Sequence, residues 1–199
     1  MPAVRLALAT EADRECIYRM RHAVYSEELG QHPENGEGRL TDSLDGFNVY
    51  LVAKAGEEIV GFVSVTLPGQ GHYSIDKYFA RTDLPFAFDD DLYEIRLLTV
   101  PASRRGASAA GLLMYAAFRW IEAKGGTRIV AIGRRQLRAF YLKAGLQMLG
   151  LTAQAGAVAY ELMTMTVADQ RRFLSCNDRL LRKLERSVLW ELDVSFAGP

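Results

Sequence analysis

The chain has 199 residues, of which 49% are hydrophobic and 24% are charged, and its 24 Lys and Arg residues balance its 24 Asp and Glu residues. This composition excludes a disordered chain and is typical of one globular domain, or of one domain with an extension. A net charge of zero gives no sign of a general affinity for nucleic acid or a membrane, so any such surface must be local.

The two cysteines, Cys16 and Cys176, do not form a CxxC pair, so neither a disulfide framework nor a zinc site is expected. The acidic run at residues 89–91 is read as a solvated turn, because consecutive carboxylates point in different directions, and no metal site is predicted. No apolar run is long enough to cross a bilayer. We therefore expect a cytoplasmic protein that does not associate with membranes.

The first half of the chain predicts a strand at residues 4–8 and a helix from Thr10 to about Glu28, with Thr10 as its N-cap. Residues 31–46 are rich in Gly, Asp, Glu and Asn and predict a long loop, which is often functional in a compact domain. Residues 47–54 and 59–67 predict the two strands of a hairpin. The segment 72–91 has no clear periodicity and predicts neither a helix nor a strand.

The second half predicts a strand, a helix, a strand, a short helix and two closing strands, at residues 92–100, 109–124, 128–132, 137–144, 146–151 and 157–166. Residues 168–189 predict one amphipathic helix with an apolar stripe of Phe173, Cys176, Leu180, Leu184 and Val188. Helices that interrupt a run of strands favour a mixed α/β sheet covered by helices. We expect a domain over residues 1–166, with residues 167–199 packed on it or on a partner, such as a second subunit in a homodimer.

The segment that follows the strand at 92–100 carries most of the functional argument. Arg104 and Arg105 precede a run of small residues, 106–111, that opens the next helix. Small residues let backbone N–H groups approach a ligand, and the positive end of the helix dipole favours an anion such as phosphate. A tightly packed helix entrance beside a solvated arginine pair explains the turn alone equally well.

The sequence around this turn resembles the GNAT acyltransferase superfamily. Residues 93–100 precede the turn, residues 103–108 align with the (R/Q)xxGx(G/A) pattern through Gly106, and residues 140–146, FYLKAGL, resemble the YxxxGF-like end of a later helix. Ser103 stands where Arg or Gln is usual, Ser108 where Gly or Ala is usual, and Leu146 where Phe is usual. The resemblance implies a GNAT-like acyl-CoA N-acyltransferase fold over about residues 4–166.

The resemblance also implies roles for individual residues. Tyr141 is expected to be the general acid that protonates a thiolate leaving group, or else a packed tyrosine, and Glu94 is expected to be the base, or else a salt-bridged glutamate. The expected donor-binding residues are Leu98, Thr99, Val100, Arg104, Arg105, Gly106, Ala107, Ser108, Ala109, Arg134 and Arg138. These arginines could bind the ribose phosphate of CoA, an acidic acyl-carrier protein or a tRNA acceptor stem, or they could simply form a solvated surface.

A second resemblance lies near the N-terminus. The helix end RMRHAVYSEELG at residues 19–30, with the acidic loop after it, is similar to the N-acyl amino acid synthases and acyl-homoserine-lactone synthases. Arg21, Tyr25, Asp42 and Asp45 are candidates for binding the acceptor, although a solvated acidic loop explains Asp42 and Asp45 more simply.

These observations predict an N-acyltransferase that moves an acyl group from a thioester, acyl-CoA or acyl-carrier protein, to the amine of a small molecule. No cofactor is expected to be bound permanently, so acyl-CoA or another acyl donor is a cosubstrate. Transfer is expected to be direct, because no motif supplies a nucleophilic Cys or Ser. Two alternatives stay open: a GNAT-like enzyme that uses aminoacyl-tRNA as donor, and a non-catalytic module that binds CoA or a metabolite.

Overall fold

A computed structural model describes residues 4–105, 109–186 and 188–194, so Gly106, Ala107 and Ser108 of the predicted turn lie outside the described residues. The strands are β1 (Val4–Leu8), β2 (Asn48–Ala55), β3 (Glu58–Thr66), β4 (Leu92–Thr99), β5 (Arg128–Arg134), β6 (Gln147–Ala155), β7 (Val158–Thr166) and β8 (Val188–Glu191). The helices are α1 (Glu11–Arg21), α2 (Ala109–Ala123), α3 (Arg138–Lys143), α4 (Val167–Ser175) and α5 (Asp178–Arg186).

The strands form one mixed sheet in the order β6-β7-β5-β4-β3-β2-β1-β8. The pairs β4–β5 and β1–β8 are parallel, and the other neighbours are antiparallel. Alternate residues of β2 supply the two faces, since successive side chains of a strand point to opposite sides. Leu51 and Ala53 pack in the cluster that contains α2, while Tyr50 and Val52 pack with Ile17 of α1. The predicted α/β class with a mixed sheet between helices is confirmed.

The first helix begins as predicted and then changes its geometry. The Thr10 N–H donates to the Asp13 carboxylate at 2.8 Å, which satisfies a backbone group ahead of the first turn. After Arg21 the chain continues as a π-helix over His22–Glu28. Such wider turns are uncommon and occur frequently at functional sites. Residues 29–47 hold no helix or strand, as expected of the long loop.

The prediction of one C-terminal helix over 168–189 is wrong. A turn at Cys176 and Asn177 separates α4 from α5, and residues 188–191 form β8 alongside β1. The apolar side chains of Val188, Trp190 and Leu192 recur with the period of two that suits a strand, and Val188 and Leu192 are buried. Cys176 is exposed, which also contradicts the predicted apolar stripe. In the described ranges, no helix is long and apolar enough to cross a membrane.

Candidate active site

The two parallel central strands separate at their carboxyl ends. The register of β4 and β5 runs from the Leu92–Arg128 pair to the Ile95–Ala131 pair, and no later residues of the two strands are register partners. On its other side, β4 carries a register shift against β3, and Leu97 has a φ of 54°. A β-bulge bends its strand, so this irregularity is consistent with an opening between β4 and β5.

An apolar cavity lies at this opening, with a volume of about 280 Å³ that includes space open to solvent. Leu98 and Ile132 line it from the two strands, Met114 from α2, and Tyr141 from α3. A larger cleft of about 920 Å³, which includes space open to solvent, shares Leu98, Ile132 and Tyr141 with the cavity. The two spaces therefore meet at the separated strands, where the cavity forms the apolar side and the cleft forms the polar side.

Tyr141 lies where the cavity and the cleft meet. Its ring packs so closely on β5 that a Cβ added at Gly133 would lie 2.5 Å from two ring carbons, so only glycine fits there. Burial raises the pKa of Tyr141 to about 12, helped by Tyr25 and opposed by the charge and backbone N–H of Arg134. A phenol with this pKa is protonated at neutral pH, which is the form that a hydrogen-bond or proton donor needs.

Glu94 is fully buried behind the cleft wall rather than in it. Its carboxylate accepts hydrogen bonds from the Ser74 N–H at 2.8 Å, the Ser74 hydroxyl at 2.5 Å and the Ile75 N–H at 3.2 Å. Burial raises its pKa, although the charge of Arg96 and the bonds from Ser74 oppose the shift. Ser74 itself lines the cleft. Glu94 therefore holds Ser74 in position through these hydrogen bonds, and it does not itself line the cleft that an acceptor would enter.

Arg21 joins the long loop to the cleft. Its guanidinium is buried and donates to Asp45 at 2.6 Å and to Asp42 at 3.1 Å. The Tyr50 hydroxyl also donates to Asp45, at 2.6 Å. The structure thus brings three of the four predicted acceptor residues together in an ionic cluster, in which Arg21 and Asp45 are buried and Asp42 is partly buried, rather than leaving the two carboxylates in a solvated loop.

Arg96 adds a second arginine to this cluster. It lines the cleft from β4 and forms an ion pair with Asp42. Burial acts to raise the pKa of Asp42, but the charge of Arg96, its hydrogen bond and the charge of Arg21 outweigh it, so the pKa lies below its usual range. Asp42 is therefore an anion at neutral pH, held between two guanidinium groups.

Tyr25 connects the π-helix to the bulged end of β4. Its hydroxyl lies 3.1 Å from the Thr99 hydroxyl, which donates to the Leu97 carbonyl at 2.8 Å. Since Thr99 uses its hydrogen on Leu97, Tyr25 is the donor of the first bond. Tyr25 also lines the cleft, so its position is compatible with acceptor binding and with support of the donor strand.

The match to a known family decides the identity of this fold. A family model of the acetyltransferase (GNAT) family matches residues 14–146. The chain belongs to the GNAT family. It is therefore an acyltransferase by family, as the turn, Tyr141 and Gly145 indicate in the sequence. A search of curated proteins finds no match.

Solved structures show which GNAT folds this chain is similar to. The CoA-dependent acyl-homoserine lactone synthase BjaI, solved with SAM and isopentyl-CoA, has a TM-score of 0.79 and 21% identity, covering 98% of this chain and 95% of that one. FeeM, an N-acyl amino acid synthase from uncultured soil microbes, has a TM-score of 0.67 and 14% identity, covering 86% and 95%. The acyl-homoserine lactone synthase LasI has a TM-score of 0.67 and 16% identity, covering 82% and 89%. The resemblance to this branch is confirmed in the fold.

The arginines of the GNAT turn are held by carboxylates. Arg104 donates to Glu58 at 2.8 Å, and Arg105 donates to Glu28 and to the Val100 carbonyl. All four side chains are partly exposed, so solvent weakens these pairs and a phosphate can compete for the arginines. Their role in donor binding stays a prediction.

The remaining candidate donor residues lie in different places. Ala109 is buried at the first position of α2, and Arg138 forms an ion pair with Glu161 at 3.0 Å. Arg134, by contrast, lines the cleft next to Tyr141. The structure therefore does not gather these arginines at one phosphate site.

Sequence reasoning missed two cations of the cleft, Arg96 and Lys77. Arg96 is two residues after Glu94 on the same strand, so the alternation of a strand places both on one face. The spacing of two residues from Glu94 is the feature of the sequence that indicates Arg96 as a further site residue. Lys77 ends a short 3-10 helix, Ser74–Lys77, inside the segment 72–91, and nothing in the local pattern points to the cleft. Within the described residues, no group of three His, Cys, Asp or Glu side chains is arranged to hold a metal ion.

Proposed function

We propose that this GNAT protein transfers an acyl group from acyl-CoA directly to the amine of a small molecule. The observation that carries the proposal is the position of Tyr141, a protonated phenol between an apolar cavity and a polar cleft, at the separated ends of β4 and β5. The likeness to BjaI and FeeM, both acyl-transferring synthases by name, supports the same reaction class.

The donor thioester enters between the two strands. The pantetheine arm lies along the backbone of Leu98, Thr99 and Val100, and the acyl group occupies the apolar cavity beside Met114. The phosphates lie toward Arg104, Arg105 and the small-residue turn that opens α2, where the helix dipole favours an anion. Arg138 is half-exposed and pairs with Glu161, so any contact that it makes with the donor is separate from this phosphate site. This arrangement places the thioester carbon on the cleft side of Tyr141.

The acceptor enters the polar cleft, beside Tyr25 and the cluster of Arg21, Asp42 and Asp45. Its neutral amine attacks the thioester carbonyl, so that a C–N bond forms as the C–S bond breaks. The CoA thiolate takes the proton of Tyr141, and the proton lost from the amine passes to solvent and restores the phenol. Glu94 acts as a base through Ser74 or a water, or only holds Ser74 in place. BjaI was solved with SAM, which makes SAM the reference amine against which other acceptors are compared.

The test is turnover with purified protein, measured as CoA thiol release together with amide product by mass spectrometry. A series of acyl-CoA donors is offered with a panel of small amines. Amide that forms only when both substrates are present supports the proposal. Amide from acyl-carrier protein or aminoacyl-tRNA, but not from acyl-CoA, would replace the donor. Saturable CoA binding without amide from any amine would favour the non-catalytic binding module.

A further inference from the structure

The cleft wall carries more positive than negative charge. Four cationic side chains line it, Arg21, Lys77, Arg96 and Arg134, and Asp42 is the lining carboxylate among the described residues. Two further carboxylates, Asp45 and Glu94, lie buried behind the wall. Even when both are counted as anions, four cations face three carboxylates. The acceptor side of the site therefore has an excess of positive charge.

Two of these four cations, Lys77 and Arg134, carry the positive charge that no described carboxylate compensates. Arg21 and Arg96 are held by Asp42 and Asp45 at hydrogen-bond distance, so their charges are compensated inside the protein. Lys77 and Arg134 form no ion pair with any carboxylate of the residues that the structure describes. Arg134 is partly buried, and a guanidinium removed from water needs an anionic or hydrogen-bonding partner. These two side chains are the cations free to bind a ligand.

The two free cations act on different parts of the cleft. Arg134 lines the cleft directly after Gly133, against which the Tyr141 ring packs, so it lies at the catalytic end. Lys77 is exposed and lies toward solvent. Partial burial lowers the pKa of His32, and the positive charges of Arg21 and Lys77 lower it further. His32 thus adds no charge near neutral pH. A ligand that spans the cleft meets one free cation near Tyr141 and another toward solvent.

We propose that the acceptor is an amine that carries acidic groups and a net negative charge, with one acidic group on Arg134 and a second on Lys77. The inference rests on the proposed function and specifies the substrate class of the same cleft. A compact acidic amino acid has this chemistry: one amine and two carboxylates. A sulfonium amine such as SAM has the opposite charge, and the uncompensated cations disfavour it.

The test is a competition for one acyl-CoA among amines that differ in charge: L-glutamate, L-glutamine and L-ornithine, which have similar size, and the larger SAM, with phosphorylated and sulfonated amines added to the anionic group. The proposal expects the highest kcat/KM in the anionic group and the lowest for the cationic amines. A neutral or cationic amine as the best substrate would overturn it while leaving the acyltransferase function intact. If no amine is acylated by any acyl-CoA, both the proposed function and the proposal about the acceptor are wrong.

Charge variants test the two cations separately. Arg134→Gln is expected to raise the KM for the best anionic acceptor about tenfold, because it removes a charge-assisted hydrogen bond, and to leave the KM for acyl-CoA unchanged. Lys77→Glu is expected to raise the same KM and to lower the KM for ornithine. Arg135→Gln is the matched control, since its exposed side chain lies outside the cleft lining and also removes one charge. An increase confined to the KM for acyl-CoA would assign Arg134 to the donor and overturn the proposal.

Discussion

At the scale of single residues, the proposed mechanism depends on Tyr141 and on the contacts that place its phenol. The ring occupies a site that exists because residue 133 is glycine. Burial, which makes the phenolate unfavourable, keeps the ring protonated at neutral pH, which is the form that a proton donor needs. The sequence predicts this residue through its family resemblance, and the structure adds its place at the opening between β4 and β5 and its protonated state.

Replacement of Tyr141 by Phe is expected to lower kcat with an acyl-CoA donor by about 10² or more, because the leaving thiolate loses its proton donor. CoA release measures the effect. Tyr93→Phe is the control, since that hydroxyl makes only a 3.4 Å contact with the Lys124 carbonyl, away from the cleft. The acid form of Tyr141 is lost only as pH rises through about 12, so no decline below about pH 10 should come from this group. Equal turnover by Tyr141→Phe and the wild type would rule out the acid role.

A methyl group added at residue 133 tests the placement of the ring rather than its hydroxyl. In Gly133→Ala the new Cβ would lie 2.5 Å from Tyr141 and 2.7 Å from the Met163 methyl group, so the ring must move. We expect lower kcat and a loss of about 1–3 kcal/mol in the free energy of unfolding, as for other overpacked sites. Gly36→Ala is the control, because nothing lies within 4 Å of its added Cβ. Wild-type kcat in Gly133→Ala would show that the ring position is not critical.

At the scale of elements, local patterns predict most helices and strands but not how they meet. The periodicities of β2, β3 and α2 are strong and their types are confirmed. The separation of β4 from β5 depends on a bulge and on Leu97 in an unusual backbone conformation, which no local pattern shows. The acidic loop has a polar composition typical of solvated loops. The burial of Asp45 and the partial burial of Asp42 depend on Arg21 and Arg96, which lie on two distant elements.

This ionic cluster predicts a specific role for Asp42 in holding the loop. Asp42→Asn leaves two buried arginines with less compensating charge, and losing one partner of a buried pair typically costs about 3–5 kcal/mol of unfolding free energy. Chemical denaturation measures the loss, and hydrogen exchange should show faster exchange in residues 31–46. Asp83→Asn, at an exposed position whose side-chain contact is with Thr82, is the control.

The same cluster predicts a pH dependence of stability. The pKa of Asp42 is lower in the folded protein than its ordinary value of about 3.9, so its contribution is present above that value and is lost as pH falls through the folded pKa. The wild type should therefore lose more unfolding free energy on acidification below about pH 4 than Asp42→Asn does. Identical acid profiles of the two proteins would contradict the assigned ion pairs.

At the scale of the whole molecule, the C-terminal segment completes the sheet that carries the site. The α5 helix leads into β8, which pairs with β1 at the opposite end from β6. A helical pattern through residues 168–189 predicts neither the break nor the strand, because pairing with β1 is a long-range contact. The subdivision at residue 166 stays a proposal, while the sheet itself includes strands from both sides of that residue.

Two leucines in this segment test how much the C-terminal segment stabilises the fold. Leu192 is 8% exposed and Leu189 is 56% exposed, so they differ mainly in burial. Leu192→Ala is expected to lower the free energy of unfolding by about 2–5 kcal/mol, as is usual for a buried leucine. Leu189→Ala should change it by less than about 0.5 kcal/mol. Equal effects in thermal and chemical denaturation would contradict the packing of the segment against the sheet.

The central claim is that the thioester lies between the separated ends of β4 and β5 with its sulfur beside Tyr141. The most direct measurement is a crystal structure of the protein with CoA. We predict the pantetheine arm along Leu98 to Val100, the phosphates at the start of α2, and the sulfur within about 3–4 Å of the Tyr141 hydroxyl oxygen. CoA bound elsewhere, with the opening between the strands empty, would contradict the account.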